Sequence, residues 1–384
     1  MPGRSTTEAI FLLRQIIEKY REARKSLHMV FIDLEKAYDR VPRELIWWVL
    51  ERKKVSQCYV DIIKDMYEGA VTSVRSVGGM SSEFSVSVGL HQGSALSPYL
   101  FALVMDELTR HLQEDVPWCM LFADDIVLID ETSEGLGQKL DRWREALESK
   151  GFRISRSKTE YLVCNFGCES RGRSNAIEIE GVEVPECEAF RYLGSIIQKN
   201  GAIGEDVDHR IKAGWLKWRM TSGVLCDRRM PARLKGKCYK TIVRPAMLYG
   251  SECWATTGQH THRMAVAEMR MLRWMCGKTR KDKIRNERIR RYLGVAPIED
   301  KIRERRLTWF GHVRRRPSTA PIRKCLDWQV NGGCKRRGRP LKTWMKAVNE
   351  DIIELGLGED MWEDRIAWRT KIHVADPENI GNGL

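Results

Sequence analysis

Apolar positions along the chain change period several times, and each change predicts an element. From residue 7 to 24, Ile10, Leu13, Ile16, Ile17 and Tyr20 recur at three- and four-residue spacing, which predicts an amphipathic helix. His28 to Leu34 is a nearly unbroken apolar run and predicts a buried strand that ends at Asp33. Pro42 stands near the start of the next helix, where its missing N–H costs nothing, and that helix carries Leu45, Ile46, Trp48 and Val49. A further helix over 57–68 stops at Gly69. Residues 71–77 and 84–88 alternate as a hairpin around a Gly-Gly-Met-Ser-Ser turn. A glycine-containing loop then feeds a helix over 97–112. Two short apolar runs at 118–129 enclose Asp124 and Asp125, as two strands with an acidic tip. Leu136, Leu140, Trp143 and Leu147 mark a helix over 134–150, closed by Gly151. Short strands are expected at 152–154, 160–164, 177–184 and 190–197.

The pattern changes near 198–204, between Gly201 and Gly204. Residues 205–275 read as wholly helical, and basic residues dominate from 280 to 316 and again at 334–344. The organisation expected is a mixed strand-and-helix domain over 1–200, a helical region over 201–279, a basic helical region over 280–376 and a disordered tail over 377–384.

Composition narrows the function. With 384 residues and 42% hydrophobic content the chain can bury a sizeable core, and its formal charge of +14 calls for an anionic partner, nucleic acid first. No apolar run approaches the roughly 18–20 residues of a membrane span. The N-terminal segment is amphipathic rather than a secretory leader, so an intracellular protein, nuclear or cytoplasmic, is expected, with no membrane association. The 11 cysteines are scattered and form no CxxC pair; Cys164 and Cys168 lack the downstream partners of a zinc site. His260 and His262 read as a loop or helix start rather than as metal ligands.

The chemistry lies in the carboxylates. Two adjacent aspartates between buried strands oppose folding unless a metal ion or an arginine neutralises them. Asp33 ends another apolar strand, although Glu35 or Asp39 nearby could serve in its place. Three strand-end carboxylates suffice for two divalent ions that orient a hydroxyl and a triphosphate.

Five segments in fixed order then carry a resemblance: FIDLEKAYDRVP, GLHQGSALSPYLFALVMDEL, LFADDIVLI, GFRISRSKTEYLV and FRYLGSII. Together they resemble the reverse transcriptase domain of non-LTR (LINE-type) retrotransposons, particularly the copies abundant in plant genomes. The likeness covers about residues 1–200, and RPAMLYGSECW and LTWFGHVRRR are similar to the downstream region of the same elements. It implies an α+β fold: a right-hand polymerase with a palm-type antiparallel sheet and packed helices, followed by a mainly helical, basic thumb and C-terminal region. The activity it implies is RNA-directed DNA polymerisation by two-metal nucleotidyl transfer onto a primer 3′-hydroxyl. The implied cofactors are two Mg²⁺ ions, or Mn²⁺, and the implied partners are an RNA template, a DNA primer and deoxynucleoside triphosphates; no protein partner is indicated.

Residue by residue, Asp33 matches the first catalytic aspartate and Asp124 and Asp125 the acidic pair, all three at the metals. Phe122 and Ala123 fill the two places before them. Tyr38 matches the aromatic gate against a 2′-hydroxyl, and Gln92 and Gly93 the loop that supports the incoming nucleotide. Lys158 matches the lysine near the triphosphate, a proton donor to pyrophosphate. Leu193 and Gly194 match the primer-grip turn. Arg303, Arg305, Arg306, Arg314, Arg315 and Arg316, interleaved with Trp309 and His312, suggest a phosphate track. Lys335, Arg336, Arg337 and Arg339 form a second basic cluster around a minor-groove-like Gly-Arg-Pro.

One departure is expected to matter. Of the family's fingers region only PGRSTTEAI is present, with Arg4 its only basic residue, so the resemblance implies a copy truncated at its N-terminus and weak in activity on its own. The alternative is a catalytically inactive, nucleic-acid-binding remnant.

Overall fold

The computed structural model describes residues 5–167, 176–330, 340–358 and 360–378. Arg4, Lys335, Arg336, Arg337, Arg339 and most of the expected tail lie outside the described residues. The chain forms two compact units that do not follow chain order. One is made by residues 26–163 and 167–188; the other combines residues 1–25, 164–166 and 189–384. Gly201 and Gly204, where the sequence pattern changes, both fall within the second.

The sheet unit is built on a four-stranded sheet in the order β6-β7-β1-β8: β1 (Leu27–Ile32), β6 (Cys119–Phe122), β7 (Asp125–Asp130) and β8 (Glu160–Cys164). The pairs β1–β7 and β6–β7 are antiparallel. The central strands β1 and β7 are buried almost throughout, which is why they read as continuous apolar runs rather than alternating ones. Helices α2 (Arg43–Arg52), α3 (Gln57–Tyr67), α4 (Ser97–Thr109) and α5 (Ser133–Glu148) complete the core. From them Val49, Phe101, Val104, Leu140 and Trp143 join Val30, Ile32, Ile126 and Leu128 in one cluster. Trp48 does not: it is 43% exposed on the outer face of α2, with Arg52 over its ring.

The expected hairpin over 71–88 is present in two short pieces, β2 (Val71–Thr72) with β5 (Phe84–Ser85) and β3 (Arg75–Ser76) with β4 (Gly79–Met80). Its reversal falls at Val77–Gly78, earlier than the Gly-Gly-Met-Ser-Ser turn expected, because Gly79 and Met80 pair in the ladder instead of turning. The strand expected at 152–154 is reduced to a single bridge between Ile154 and Leu34. A small pair, β9 (Glu178–Ile179) and β10 (Val182–Glu183), ends the unit.

The helical unit takes the first helix of the chain, α1 (Thr6–Ala23), into a bundle formed from residues 189 onward. A hairpin, β11 (Ala189–Tyr192) and β12 (Ser195–Gln198), leads into α6 (Gly204–Met220), α7 (Ser222–Leu225) and α8 (Ala232–Cys238). One π-helical turn over Tyr239–Val243 separates α8 from α9 (Arg244–Leu248). Then follow α10 (Gly258–Met275), α11 (Asn286–Leu293), α12 (Ile298–Arg314), α13 (Pro321–Asp327), α14 (Trp344–Glu354) and α15 (Arg365–Ile372). His260 supplies the start of α10: its ring nitrogen closes a capping box with Thr257.

Two buried carboxylates organise this unit. Asp206, fully buried on α6, accepts from Arg14 of α1 at 2.7 Å, Ser195 Oγ at 2.7 Å, Trp254 Nε1 at 2.8 Å and the Ile196 N–H at 2.9 Å. Glu268 on α10 accepts from Tyr239 at 2.9 Å, Arg290 at 2.6 Å and the N–H of Ile298 at 3.1 Å. Each thereby meets the requirement that a buried charge be paired and hydrogen-bonded.

Candidate active site

The β1–β7 register pairs Ile32 with Ile126, and Asp33 and Asp125 are the next residues at that end of the two strands. Asp125 itself pairs with Phe122 across the β6–β7 turn, whose two tip residues are Ala123 and Asp124. Ala123 has φ +56°, in the left-handed region. A strand end and a tight hairpin tip thus deliver three carboxylates to one edge of the sheet.

Their electrostatics reflect this arrangement. The carboxyl of Asp125 is pushed up to about 6, first by burial and then by the charges of Asp124 and Asp33. Asp33 is fixed through its backbone: its carbonyl accepts from the Ser155 N–H at 2.8 Å, and its own N–H points to Thr159 Oγ1 at 3.4 Å. Its Oδ2 atom is buried and makes no hydrogen bond; the nearest cation is the exposed Lys158, whose Nζ lies 3.6 Å away. Among the described residues, no three Asp, Glu, His or Cys side chains are grouped as a ready-made metal cage. An oxygen-only donor set with one bare buried oxygen and one carboxyl disfavoured as an anion nevertheless fits a hard divalent cation.

The two alternative carboxylates are engaged elsewhere. Glu35 pairs with Arg40 at 3.2 Å, and Asp39 accepts from Gln92 Nε2 at 2.7 Å. That second bond ties the loop containing Gln92 to the segment after β1. Gly89 makes the approach possible: at φ +91° its α-carbon lies so close to Asp39 that a Cβ would come within 2.6 Å of the Asp39 carbonyl oxygen. The N–H groups of Gly89 and Leu90 bond to the carbonyls of Val41 and Tyr38, both at 2.9 Å. Gln92 and Gly93 are exposed at the turn of this loop. Tyr38 stacks on Phe101, with ring centroids 4.5 Å apart. Burial first, and the charge of Asp124 second, raise the pKa of its hydroxyl. Five of the expected residues of the sheet unit, Asp33, Tyr38, Asp124, Asp125 and Lys158, are therefore linked by contact, register or field, and Gln92 bonds Asp39.

Leu193 and Gly194 belong to the helical unit, at the tip of the β11–β12 hairpin, with φ +45° and +83°. Tyr249 donates to the Leu193 carbonyl at 2.8 Å and Arg210 to that of Gly194.

The basic residues of α12 divide. Arg306 is only 5% exposed, and its guanidinium is used internally by Asp351 at 2.7 Å and Thr256 Oγ1 at 2.5 Å, contrary to the expected phosphate track. The signal was present in the sequence: Ile302, Arg306, Phe310 and Val313 recur at helical spacing and share the buried stripe. Arg303 is held by Asp300 and Glu354. Arg314 lies over the rings of Trp362 and Phe310, and Arg315 donates to the Trp362 carbonyl at 2.5 Å. Arg316 is half-buried. Arg305, 40% exposed, faces a cleft together with Lys240, Arg244, Lys301, Trp309 and His312. Lys240 comes from the π-helical turn, Arg244 from α9, and Lys301 from α12, one turn before Arg305.

Among the described residues no helix is long and apolar enough to cross a membrane. The nine described cysteines are all free thiols.

Comparison with known proteins places these features. The chain is 34% identical over 208 residues to a retrovirus-related Pol polyprotein from the type-2 retrotransposable element R2DM of Drosophila melanogaster, covering 49% of this chain and 20% of that protein. It is 25% identical over 334 residues to a probable RNA-directed DNA polymerase from transposon X-element of the same fly, covering 82% of this chain and 35% of that protein. It therefore spans between about a fifth and about a third of these relatives' length. Among solved structures it is similar to apo telomerase from Candida tropicalis, at 12% identity and a TM-score of 0.41, over 96% of this chain and 57% of that one. Residues 1–197, just over half of the sequence, match the family described as reverse transcriptase (RNA-dependent DNA polymerase), and the chain belongs to that family, with non-LTR retrotransposon polymerases among its relatives.

Proposed function

We propose that the sheet unit carries the catalytic centre of an RNA-directed DNA polymerase of the non-LTR retrotransposon type, on a palm-type sheet. The observation that carries this reading is geometric: Asp33 and Asp125 stand next to the last paired residues at the same end of β1 and β7, and Asp124 sits at the adjoining hairpin tip. In this reading the three carboxylates hold two divalent ions, Mg²⁺ or Mn²⁺, and move by side-chain rotation to do so. The bound ions supply Lewis acidity for the attacking hydroxyl and charge neutralisation at the phosphates.

The chain's own residues do the rest. Tyr38, braced on Phe101, stands beside the sugar of an incoming deoxynucleotide and crowds a 2′-hydroxyl. Gln92 and Gly93 support the nucleotide from a loop fixed by Asp39. Lys158 is exposed next to Asp33 and protonates the departing pyrophosphate. Leu193 and Gly194 present a backbone turn to the primer end. RNA template, DNA primer and deoxynucleoside triphosphates are the corresponding partners.

Two measurements test this together. Paramagnetic Mn²⁺ titration should show binding that is lost in Asp33→Asn and Asp124→Asn. Primer extension on an RNA template should require Mg²⁺ and vanish in Asp124→Asn. Unchanged Mn²⁺ binding in both variants would remove the metal site from these residues. A second reading is a nucleic-acid-binding protein without catalysis; among the described residues no three carboxylates form a preformed cage. Retained RNA binding with neither metal binding nor extension would establish it.

A further inference from the structure

The cleft of about 510 Å³ in the helical unit has no part in the chemistry described above. It lies within the size range of ligand sites, roughly 300–1,000 Å³, and is too small for a duplex. Lys240, Arg244, Lys301 and Arg305 line it, from the π-helical turn, α9 and α12, with Trp309 and His312 also in its wall. Two carboxylates, Glu252 and Glu304, line it too.

The cations there already handle anions and acceptors. Asp376 bonds Arg244 at 3.0 Å, stands 3.3 Å from Lys240 and accepts from the Ala296 N–H at 2.9 Å. These partners hold its carboxyl down at about 2 against the opposing effect of burial. Lys301 is taken by Glu304 at 2.7 Å and the Val374 carbonyl at 2.6 Å. Arg305 gives one N–H to the Leu248 carbonyl at 2.8 Å and keeps only a loose 3.8 Å approach to Glu252. The aromatic wall is prepared as well: His312 stacks on Trp309 with centroids 5.1 Å apart, and Phe11 meets the indole edge-on at 5.7 Å. The indole N–H of Trp309 is buried and has no acceptor. Cations, a braced aromatic pair and an unused donor form a set that suits a phosphate-linked base.

We propose that this cleft binds an unpaired nucleotide of a single-stranded nucleic acid, its phosphate on Lys240 and Arg305 and its base against the Trp309–His312 pair. The inference rests on the nucleic-acid side of the function proposed above but not on polymerisation, so Asp124→Asn should leave it intact.

The test uses the full chain and four probes: a single-stranded RNA, the same sequence as DNA, a DNA duplex and polyglutamate. A Lys240→Glu/Arg305→Glu double variant should bind the single strands about tenfold more weakly than a control of equal charge change, Arg369→Glu/Lys371→Glu, on exposed positions of α15. Ultraviolet cross-links from a single strand should map to the peptides around Trp309 and His312, and the RNA-to-DNA yield ratio identifies the preferred strand. Trp309→Ala should lose them, and Trp309→Phe, which keeps the ring, should retain binding. Equal weakening by the control, cross-links confined to other peptides, or equal competition by duplex or polyglutamate would overturn the proposal. Loss of Mg²⁺-dependent extension with the cleft binding intact would bear only on the polymerase reading.

Discussion

At the scale of single residues, Asp125 is the most informative group, because its environment favours the neutral acid. A carboxyl ordinarily near 3.8 and raised to about 6 in the fold contributes stability below about pH 4, and that contribution is lost as pH rises through 6. Its ceiling is about 3 kcal/mol, reduced by partial solvent access. Asp125→Asn should therefore stabilise the metal-free protein at pH 7 and flatten the pH 4–6 part of its unfolding profile. An unchanged profile in thermal melts would dissociate Asp125 from the other two charges. Tyr38→Val should lower discrimination against ribonucleotides in any extension assay, measured as the ratio of kcat/KM for the two sugars. The strand-end placement of the aspartates was legible in the sequence because each borders a continuous apolar run. Arg306 was misleading because charge alone does not reveal which side of a helix it occupies; the spacing of Ile302 and Phe310 does.

Among elements, the β11–β12 hairpin is held in a strained state. Its two turn positions both have positive φ, a geometry that favours Asn-Gly, yet Leu occupies the first. A branched apolar side chain there costs roughly 1–2 kcal/mol relative to residues that tolerate this region. Leu193→Asn should raise the unfolding midpoint while lowering primer extension, the expected exchange between stability and a strained working residue. A gain in stability with full extension would show that the leucine has no role at the primer. Tyr249→Phe removes the hydroxyl bonded to the Leu193 carbonyl and should cost about 1 kcal/mol. Helices were legible from their period, and the long strands from unbroken apolar runs. Two-residue strands such as β3 and β4 were not placed correctly, since the choice between turn and ladder at Gly79 depends on pairing rather than on composition.

For the whole molecule, the unit composed of residues 1–25 and 189–384 could not be read from the sequence, because its bonds join distant positions. Arg14 reaches Asp206, Lys19 reaches the Leu326 carbonyl at 3.1 Å, and Glu18 accepts from the Trp344 N–H at 2.9 Å. Burial raises the Glu18 carboxyl to about 7 in spite of that bond. Asp206→Asn leaves Arg14 short of its counter-charge and should cost about 3–5 kcal/mol, the usual cost of breaking a buried pair. Nine of the 13 tryptophans lie beyond residue 200, so tryptophan emission during urea unfolding reports mainly on this unit. Removal of residues 1–25 should leave it susceptible to proteolysis throughout, with residues 26–163 more resistant. Equal resistance of the truncated and intact chains would show that α1 is dispensable.

The attachment of α1 to the far end of the chain also sets a timetable for synthesis. Glu18 and the N–H it caps are separated by 326 residues, and a ribosome adding roughly 5–20 residues per second needs about 15–65 s to connect them. Until then Phe11, whose ring ends up 4.8 Å from that of Trp344, lacks that partner and has the earlier Trp309 beside it instead. A chain stopped before Trp344 would leave Glu18 without the N–H it accepts from and Phe11 without one of its two indole neighbours.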